Sequence, residues 1–243
     1  MYSIFQKEVK AFFSSLVGYV VIGVFLILLG LVMWVFEDTS VLSYNYATMD
    51  TLFTMAPMIF TFLIPAITMR SFAEENQTGT IELLTTKPLS DLEIILGKYF
   101  ANLLLLLFAL IPTVLYYYTI YELGSPKGNL DSGAIMGSYL GLFLLGGAFI
   151  AIGLFASSLS SNQITAFILA TFLCFFIHWA FFYLSKMPVF IGSVDDIIQR
   201  IGMEYHYLSI SRGLIDSRDV IYFLSVIAFF LGCTTVSLGS RKW

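Results

Sequence analysis

Apolar residues fill this chain in long blocks, and short polar stretches separate them. A helix that crosses a bilayer needs about 20 apolar residues, and six blocks reach that length. They run from Leu16 to Phe36, Leu52 to Met69, Tyr99 to Ile120, Ile135 to Ser158, Ile164 to Leu184, and Val220 to Leu238. Residues 132–185 hold no Asp, Glu, Lys or Arg over 54 positions, too long for one helix. They read as two helices folded back at Ser157-Ser158-Leu159-Ser160-Ser161-Asn162, a polar knot able to satisfy the backbone groups that a tight turn frees. Pro57, Pro65 and Pro112 fall inside blocks two and three and mark kinks. Ahead of the first block, Ile4, Phe5, Val9, Phe12 and Phe13 share one side of a helix while Gln6, Lys7 and Lys10 lie elsewhere. That pattern suits a short interfacial helix over residues 1–15. Two polar segments stand outside the blocks: residues 70–98 and residues 185–219.

Composition agrees with this pattern. Of 243 residues, 58% are hydrophobic and 12% charged, with mean hydropathy +0.88, against about 25% charged in an ordinary soluble domain. The class is therefore an all-α integral membrane protein, one domain over residues 1–243, with lipid as its surroundings. The net charge of -4 leaves no basic patch for phosphates, so nucleic acid is not a partner. Cys174 and Cys233 both lie in apolar blocks and read as packing residues, not as a disulfide framework or a metal site. The first block is too long for a signal peptide and is followed by Glu37-Asp38 instead of a cleavage site. With the N-terminus placed in the cytoplasm, inner segments carry Lys7, Lys10, Arg70, Lys87, Lys98, Arg241 and Lys242. Outer segments carry Lys127, Lys186, Arg200, Arg212 and Arg218. This bias favours both termini inside.

Several chemistries are missing. No P-loop is present, because Gly97-Lys98 is followed by Tyr99 and preceded by Leu92 where a glycine belongs. No HExxH occurs. Glu74-Glu75 has Gly79 where the paired-glutamate membrane proteases have arginine. The six blocks contain no carboxylate, which disfavours an ion-coupled carrier or channel. His178 is the one ionisable group of the usual set well inside a block, and packing or a bond between helices suits it better than a proton relay. Tyr116-Tyr117-Tyr118 reads as an interfacial belt. Gly137, Gly141, Gly146, Gly147 and Gly153 form a small-residue face for close helix packing.

Residues 70–98 are the informative part. Block two continues without a breaker through Arg70, Ser71, Phe72, Ala73, Glu74 and Glu75, so it is expected to protrude into the cytoplasm, with Arg70 and Glu74 paired four apart. Asn76-Gln77-Thr78-Gly79 ends it, with Gly79 at positive φ. Thr80 caps a short helix, Ile81 to Thr86, which Pro88 stops. Ser90 and Glu93 have capping-box spacing for the helix that runs through Lys98 into block three. The alternatives for Ile81, Leu83 and Leu84 are packing on the bundle's own inner face or insertion into a cytoplasmic partner. In the outer segment, Val194 to Ile201 and Tyr205 to Leu214 are two short amphipathic pieces.

The pattern Arg70-x-x-x-Glu74-Glu75-x-x-x-Gly79-Thr80-x-Glu82-Leu83-Leu84-x-x-x-Pro88, followed by Gly97-Lys98, resembles the permease subunits of ABC-2 type transporters. So do Gly153-x-x-x-Ser157-Ser158-Leu159 with Asn162-Gln163, and Ile210-x-Arg212-Gly213-Leu214-Ile215-Asp216-x-x-Asp219-Val220. Within the family these strings look most like the gliding-motility-associated permease of Bacteroidetes, or the related copper-site maturation permeases. The resemblance implies a six-helix ABC-2 (type V exporter-like) fold in the cytoplasmic (inner) membrane. It implies a separate cytoplasmic ABC ATPase that supplies ATP and Mg, with no cofactor and no catalytic residue in this chain. It implies a second permease chain, identical or related. Glu74, Glu75, Gly79, Thr80, Glu82, Leu83, Leu84 and Pro88 would then couple to the ATPase, and Arg212, Gly213 and Asp216 would belong to an outer gate. The rival to transport is a membrane scaffold for a motility complex, built on the same segment.

Overall fold

The structure is a computed structural model that describes residues 1–44, 46–80, 90–190, 192 and 194–240. Among these residues the fold is entirely helical. In chain order the helices are α1 (Tyr2–Phe13), α2 (Leu16–Trp34), α3 (Val41–Tyr44), α4 (Asp50–Thr68), α5 (Arg70–Thr78), α6 (Asp91–Leu110), α7 (Val114–Leu123), α8 (Ser132–Leu159), α9 (Gln163–Phe175), α10 (Phe181–Ser185), α11 (Asp195–Ile201), α12 (Met203–Ser211) and α13 (Ser217–Gly239). Five continuous helical stretches have membrane length and apolarity: Asp50–Thr78, Asp91–Leu123, Ser132–Leu159, Gln163–Ser185 and Ser217–Gly239. The α1–α2 pair, bent by 67°, makes a sixth when the two helices are counted as one span. The bend separates an amphipathic α1 from an apolar α2, as the N-terminal periodicity predicts.

Helix α8 is the centre. Its most apolar stretch is 78% buried, against 22% for Gln163–Ser185 and 17% for Ser217–Gly239. Asp131 caps its start by accepting from the Ala134 N–H at 3.0 Å. Its glycines are where neighbours press in. A Cβ on Gly141 would meet Ile210 of α12 at 3.2 Å, and one on Gly147 would meet the Tyr99 hydroxyl of α6 at 3.0 Å. One on Gly153 would collide with the Thr68 side chain of α4. A glycine inside a helix costs backbone entropy, and here the return is close approach of three helices at once. The small-residue face expected from the sequence is in fact spread around the helix.

The prolines act as local hydrogen-bond chemistry requires. Pro112 sits in a 3-10 turn, Ile111–Thr113, between α6 and α7. There Thr113 donates to the Leu110 carbonyl at 2.6 Å and lies 2.9 Å from the Tyr139 hydroxyl. Pro57 and Pro65 are carried within α4, where Thr61 donates to the Pro57 carbonyl at 3.0 Å. Between α9 and α10 the chain makes a π turn, Phe176–Ala180, which contains His178. The fold-back between α8 and α9 is shorter than the expected knot. Only Ser160 to Asn162 lie outside helices, and the Asn162 side chain caps α9 by accepting from the Ile164 N–H at 2.8 Å. Two of the three clustered tyrosines are tied to the protein: Tyr116 donates to the Leu26 carbonyl at 3.2 Å, and the Tyr117 and Ser132 hydroxyls are 2.9 Å apart. Tyr118 remains exposed.

Gly153→Ala therefore destabilises the bundle by about 1–3 kcal/mol through overpacking against Thr68, read as a lower unfolding midpoint in detergent. Gly232→Ala inside α13, where an added Cβ meets nothing within 4 Å among the described residues, raises the midpoint, because alanine is about 0.5–1 kcal/mol better than glycine within a helix. Equal behaviour of the two variants would show that the α4–α8 contact is not close-packed.

Candidate functional site

At one end of the bundle, α1, α5 and α6 meet around a buried lysine. Gly97 lets this happen: a Cβ there would stand 3.1 Å from both Ile4 and the Met1 carbonyl, so α1 lies directly on α6. The next residue, Lys98, is 1% exposed. Its Nζ lies 2.6 Å from the Ser71 carbonyl oxygen, 2.8 Å from Glu8 Oε1 and 3.0 Å from Glu75 Oε1. The Phe72 ring sits 5.1 Å away. An ammonium has three protons to donate, and three oxygens from two other helices surround this one. Glu75 Oε1 also receives Lys7 Nζ of α1 at 3.0 Å, so two cations and two carboxylates form one neutral cluster. Burial by itself lowers the pKa of the Lys7 ammonium. The hydrogen bond and charge of Glu75, with the charges of Glu8 and Glu74, outweigh burial and raise it.

A second device joins α5 to the core. The Ser157 hydroxyl of α8 accepts from the backbone N–H of Phe72 and of Ala73, both at 3.0 Å, and donates to the Met69 carbonyl at 2.9 Å. A side chain inserted into a helix's own ladder is a recognised cause of a bend, and Met69 is the residue that separates α4 from α5. Asn76 adds a bond from Nδ2 to the Ser160 carbonyl at 3.1 Å. Helix α5 is thus an arm, continuous in sequence with α4 and seated on the end of α8. It does not stand free in water along its length, as its sequence suggests. Ser71, Phe72, Ala73 and Glu75 are buried, and exposure begins at Gln77.

The residues expected to couple to a partner divide accordingly. Glu75 faces the bundle and is occupied by Lys7 and Lys98. Its Oε2 has no hydrogen-bond partner among the described residues. Glu74 is half-exposed and pairs with Arg70 at 3.1 Å. Gly79 ends α5 in the left-handed region, φ 69°, and Thr80 is exposed, its hydroxyl 2.9 Å from that of Thr78. Glu82, Leu83, Leu84 and Pro88 lie outside the described residues, as does the expected short helix. On the far side of that segment the capping box holds: Ser90 accepts from the Glu93 N–H at 3.3 Å, and Glu93 accepts from the Ser90 N–H at 3.1 Å. An open cleft of about 300 Å³ lies between α1, α4, α5 and α6, bordered by Lys7, Arg70, Glu74, Thr80 and Asn102.

At the opposite end, α11 and α12 replace the two amphipathic pieces expected from the sequence. Of the residues expected at an outer gate, Gly213 takes φ 83°, and a Cβ there would stand 2.8 Å from the Ala134 backbone. Arg212 donates from Nε to the Leu208 carbonyl at 3.0 Å. Asp216 caps α13 by accepting from the Arg218 N–H at 2.9 Å. Arg212 also borders a cavity of about 350 Å³ with Asp50, His178 and Glu204. The three residues turn the chain from α12 into α13. Sequence reasoning missed the inner cluster. Gly97-Lys98 stood in the motif, but nothing in the spacing linked Lys98 to Glu8, ninety positions away.

A family model described as ABC-2 family transporter protein matches residues 37–215. The match takes in Glu75, Lys98, Ser157 and α12, and leaves out Lys7 and Glu8. A search of curated proteins finds no match. The matched region is most of the chain, and the chain belongs to the ABC-2 transporter family.

Replacing Lys98 by Met leaves Glu8 and Glu75 with Lys7 as the one cation of the cluster and costs about 3 kcal/mol of stability, measured by denaturant titration in mixed micelles. The double variant Lys98→Met/Glu75→Leu recovers part of that loss, because an apolar pair replaces a broken ionic one. A double variant no more stable than the single one would show that Glu75 and Lys98 are not coupled.

Proposed function

We propose that this ABC-2 chain is the membrane-spanning permease of an ATP-driven transporter in the inner membrane, with its N- and C-termini in the cytoplasm. Residues 70–98 are its contact with a separate ABC ATPase, which binds ATP and Mg. Two permease chains, identical or related, form the path. The observation that carries this reading is the construction of α5. The arm ends in an exposed, polar, glycine-capped tip, is continuous with α4, and is clamped to α1 and α6 through Lys98.

That construction suits force transmission. A push on a tip held by a single flexible link would be lost in bending. A tip clamped by a buried ion cluster and by Ser157 moves α4, α5 and α6 together. ATP-driven closure of the ATPase pair would bring the two arms towards each other and tilt α4, opening the path at the α12 end. Such a change is rigid-body motion between two states, each with its own contacts. The strings that resemble the gliding-motility-associated permease are what supports a role in that process.

The test is what travels with the chain. Tagged and extracted in mild detergent, it carries a P-loop ATPase in stoichiometric amount. Glu82→Arg leaves the chain inserted but uncouples ATP hydrolysis from transport. Gly79→Val, which forces a β-branched residue into the left-handed region, lowers the bound ATPase by about tenfold. A preparation free of ATPase even after crosslinking would contradict the permease reading and favour the scaffold.

A further inference from the structure

The chain has two histidines, and each pairs with a carboxylate to fasten α12 to a different span. His178, in the π turn of the fifth span, is fully buried, and its Nε2 lies 2.8 Å from Glu204 Oε2 of α12. That approach is off the hydrogen-bond direction, and neither ring nitrogen has a hydrogen-bond partner. His206, on α12 itself, has Nδ1 2.7 Å from Asp219 Oδ1 of α13 and Nε2 2.9 Å from the Arg200 carbonyl oxygen of α11. Its ring stacks on Tyr222 at 3.8 Å between centroids. A neutral imidazole has one N–H and one acceptor nitrogen. Both nitrogens of His206 face oxygens that accept, since one belongs to a carboxylate and the other to a carbonyl. With Asp219 ionised, only the imidazolium satisfies both.

We propose that α12 is a proton-operated latch, held shut when His206 and His178 carry protons and released when they lose them. Calling it a gate rests on the permease reading; the latch itself does not. The other contacts of α12 bury Met203, Tyr207 and Ile210 against its neighbours. Tyr207 donates to the Phe53 carbonyl of α4, Ile210 packs on Gly141 of α8, and Ser138 donates to the Ser211 carbonyl at 2.8 Å. The charged and titratable groups around His178 are Glu204 and Tyr207 of α12, with Asp50 of α4 and Arg212 on the shared cavity. Those around His206 are Asp219 and Tyr222 of α13 and its neighbour Tyr205, while the Arg200 guanidinium is turned away to Asp196 at 2.8 Å. The balance on each histidine is acidic. Protonation therefore strengthens both clasps. Loss of the His206 proton sets a lone pair against an oxygen, and the clasp weakens. Acid therefore favours the closed latch and rising pH frees α12.

Hydrogen exchange of the full chain in nanodiscs reads this without cargo or ATPase. After correction for chemical exchange, protection of the α12 amides falls about tenfold from pH 6 to pH 8, the difference between a charged and a neutral hydrogen bond. Protection of α8 stays constant. In His206→Gln the α12 amides are weakly protected at both pH values, and Asp219→Asn behaves in the same way. Should a variant also lose α8 protection, the native chain's pH comparison decides alone. Equal α12 protection of the native chain at pH 6 and pH 8, or a native-sized fall in a folded His206→Gln, overturns the proposal. A chain that brings down no ATPase yet shows the pH-dependent fall would sink the permease reading and leave the latch standing.

Discussion

A lysine ammonium cannot be left alone inside an apolar bundle. The effective cost of removing it from water is several kcal/mol, and Lys98 is 1% exposed. The remaining architecture at that end follows from meeting this cost. The oxygens around the ammonium come from other helices, Glu8 from α1 and Glu75 with the Ser71 carbonyl from α5. The N-terminal helix is therefore more than an interfacial float. It supplies charge to the cluster and is held against α6 by the absence of a side chain at Gly97. Lys7 closes the tally by neutralising the second carboxylate.

Helix α8 links this cluster to the other end of the molecule. It is 28 residues long and crosses the bundle with a neighbour against each glycine from Gly137 to Gly153. Near its C-terminus Ser157 is inserted into the backbone between α4 and α5, and near its N-terminus Gly137 and Gly141 receive the α12 end. Displacement of the α5 arm therefore acts on a helix that also seats α12. In the proposed permease, this gives the ATPase side and the outer latch a common mechanical element, with no need for a chain of small adjustments.

The spans were readable because bilayer thickness dictates the length of an apolar block, and the block edges agree with the helix ends to within a turn for Ser132–Leu159, Gln163–Ser185 and Ser217–Gly239. Local signals were equally legible. Gly79 takes the left-handed conformation that a helix stop requires, Ser90 and Glu93 form their capping box, and Arg70 meets Glu74. What the sequence hid is non-local. Ser157 looked like part of a polar turn because its partners, the N–H groups of Phe72 and Ala73, are backbone and leave no mark in the side-chain pattern. Glu75 looked like a surface charge because its cations come from α1 and α6. Glu204 escaped notice as a partner for His178 because it lies outside every apolar block. The helical spacing of α12 turns it towards the fifth span.

The claim on which most depends is that α1, α5 and α6 move as one body. Spin labels at Lys10→Cys of α1 and Gln77→Cys of α5, with Cys174 and Cys233 replaced by alanine, would report on it in the complex with the partner ATPase. The Lys10–Gln77 distance distribution should be the same without nucleotide and with ATP bound, and should broaden in Lys98→Met. A native distance that shifts when ATP binds would mean that α5 swings away from α1, and that the buried lysine does not hold the arm.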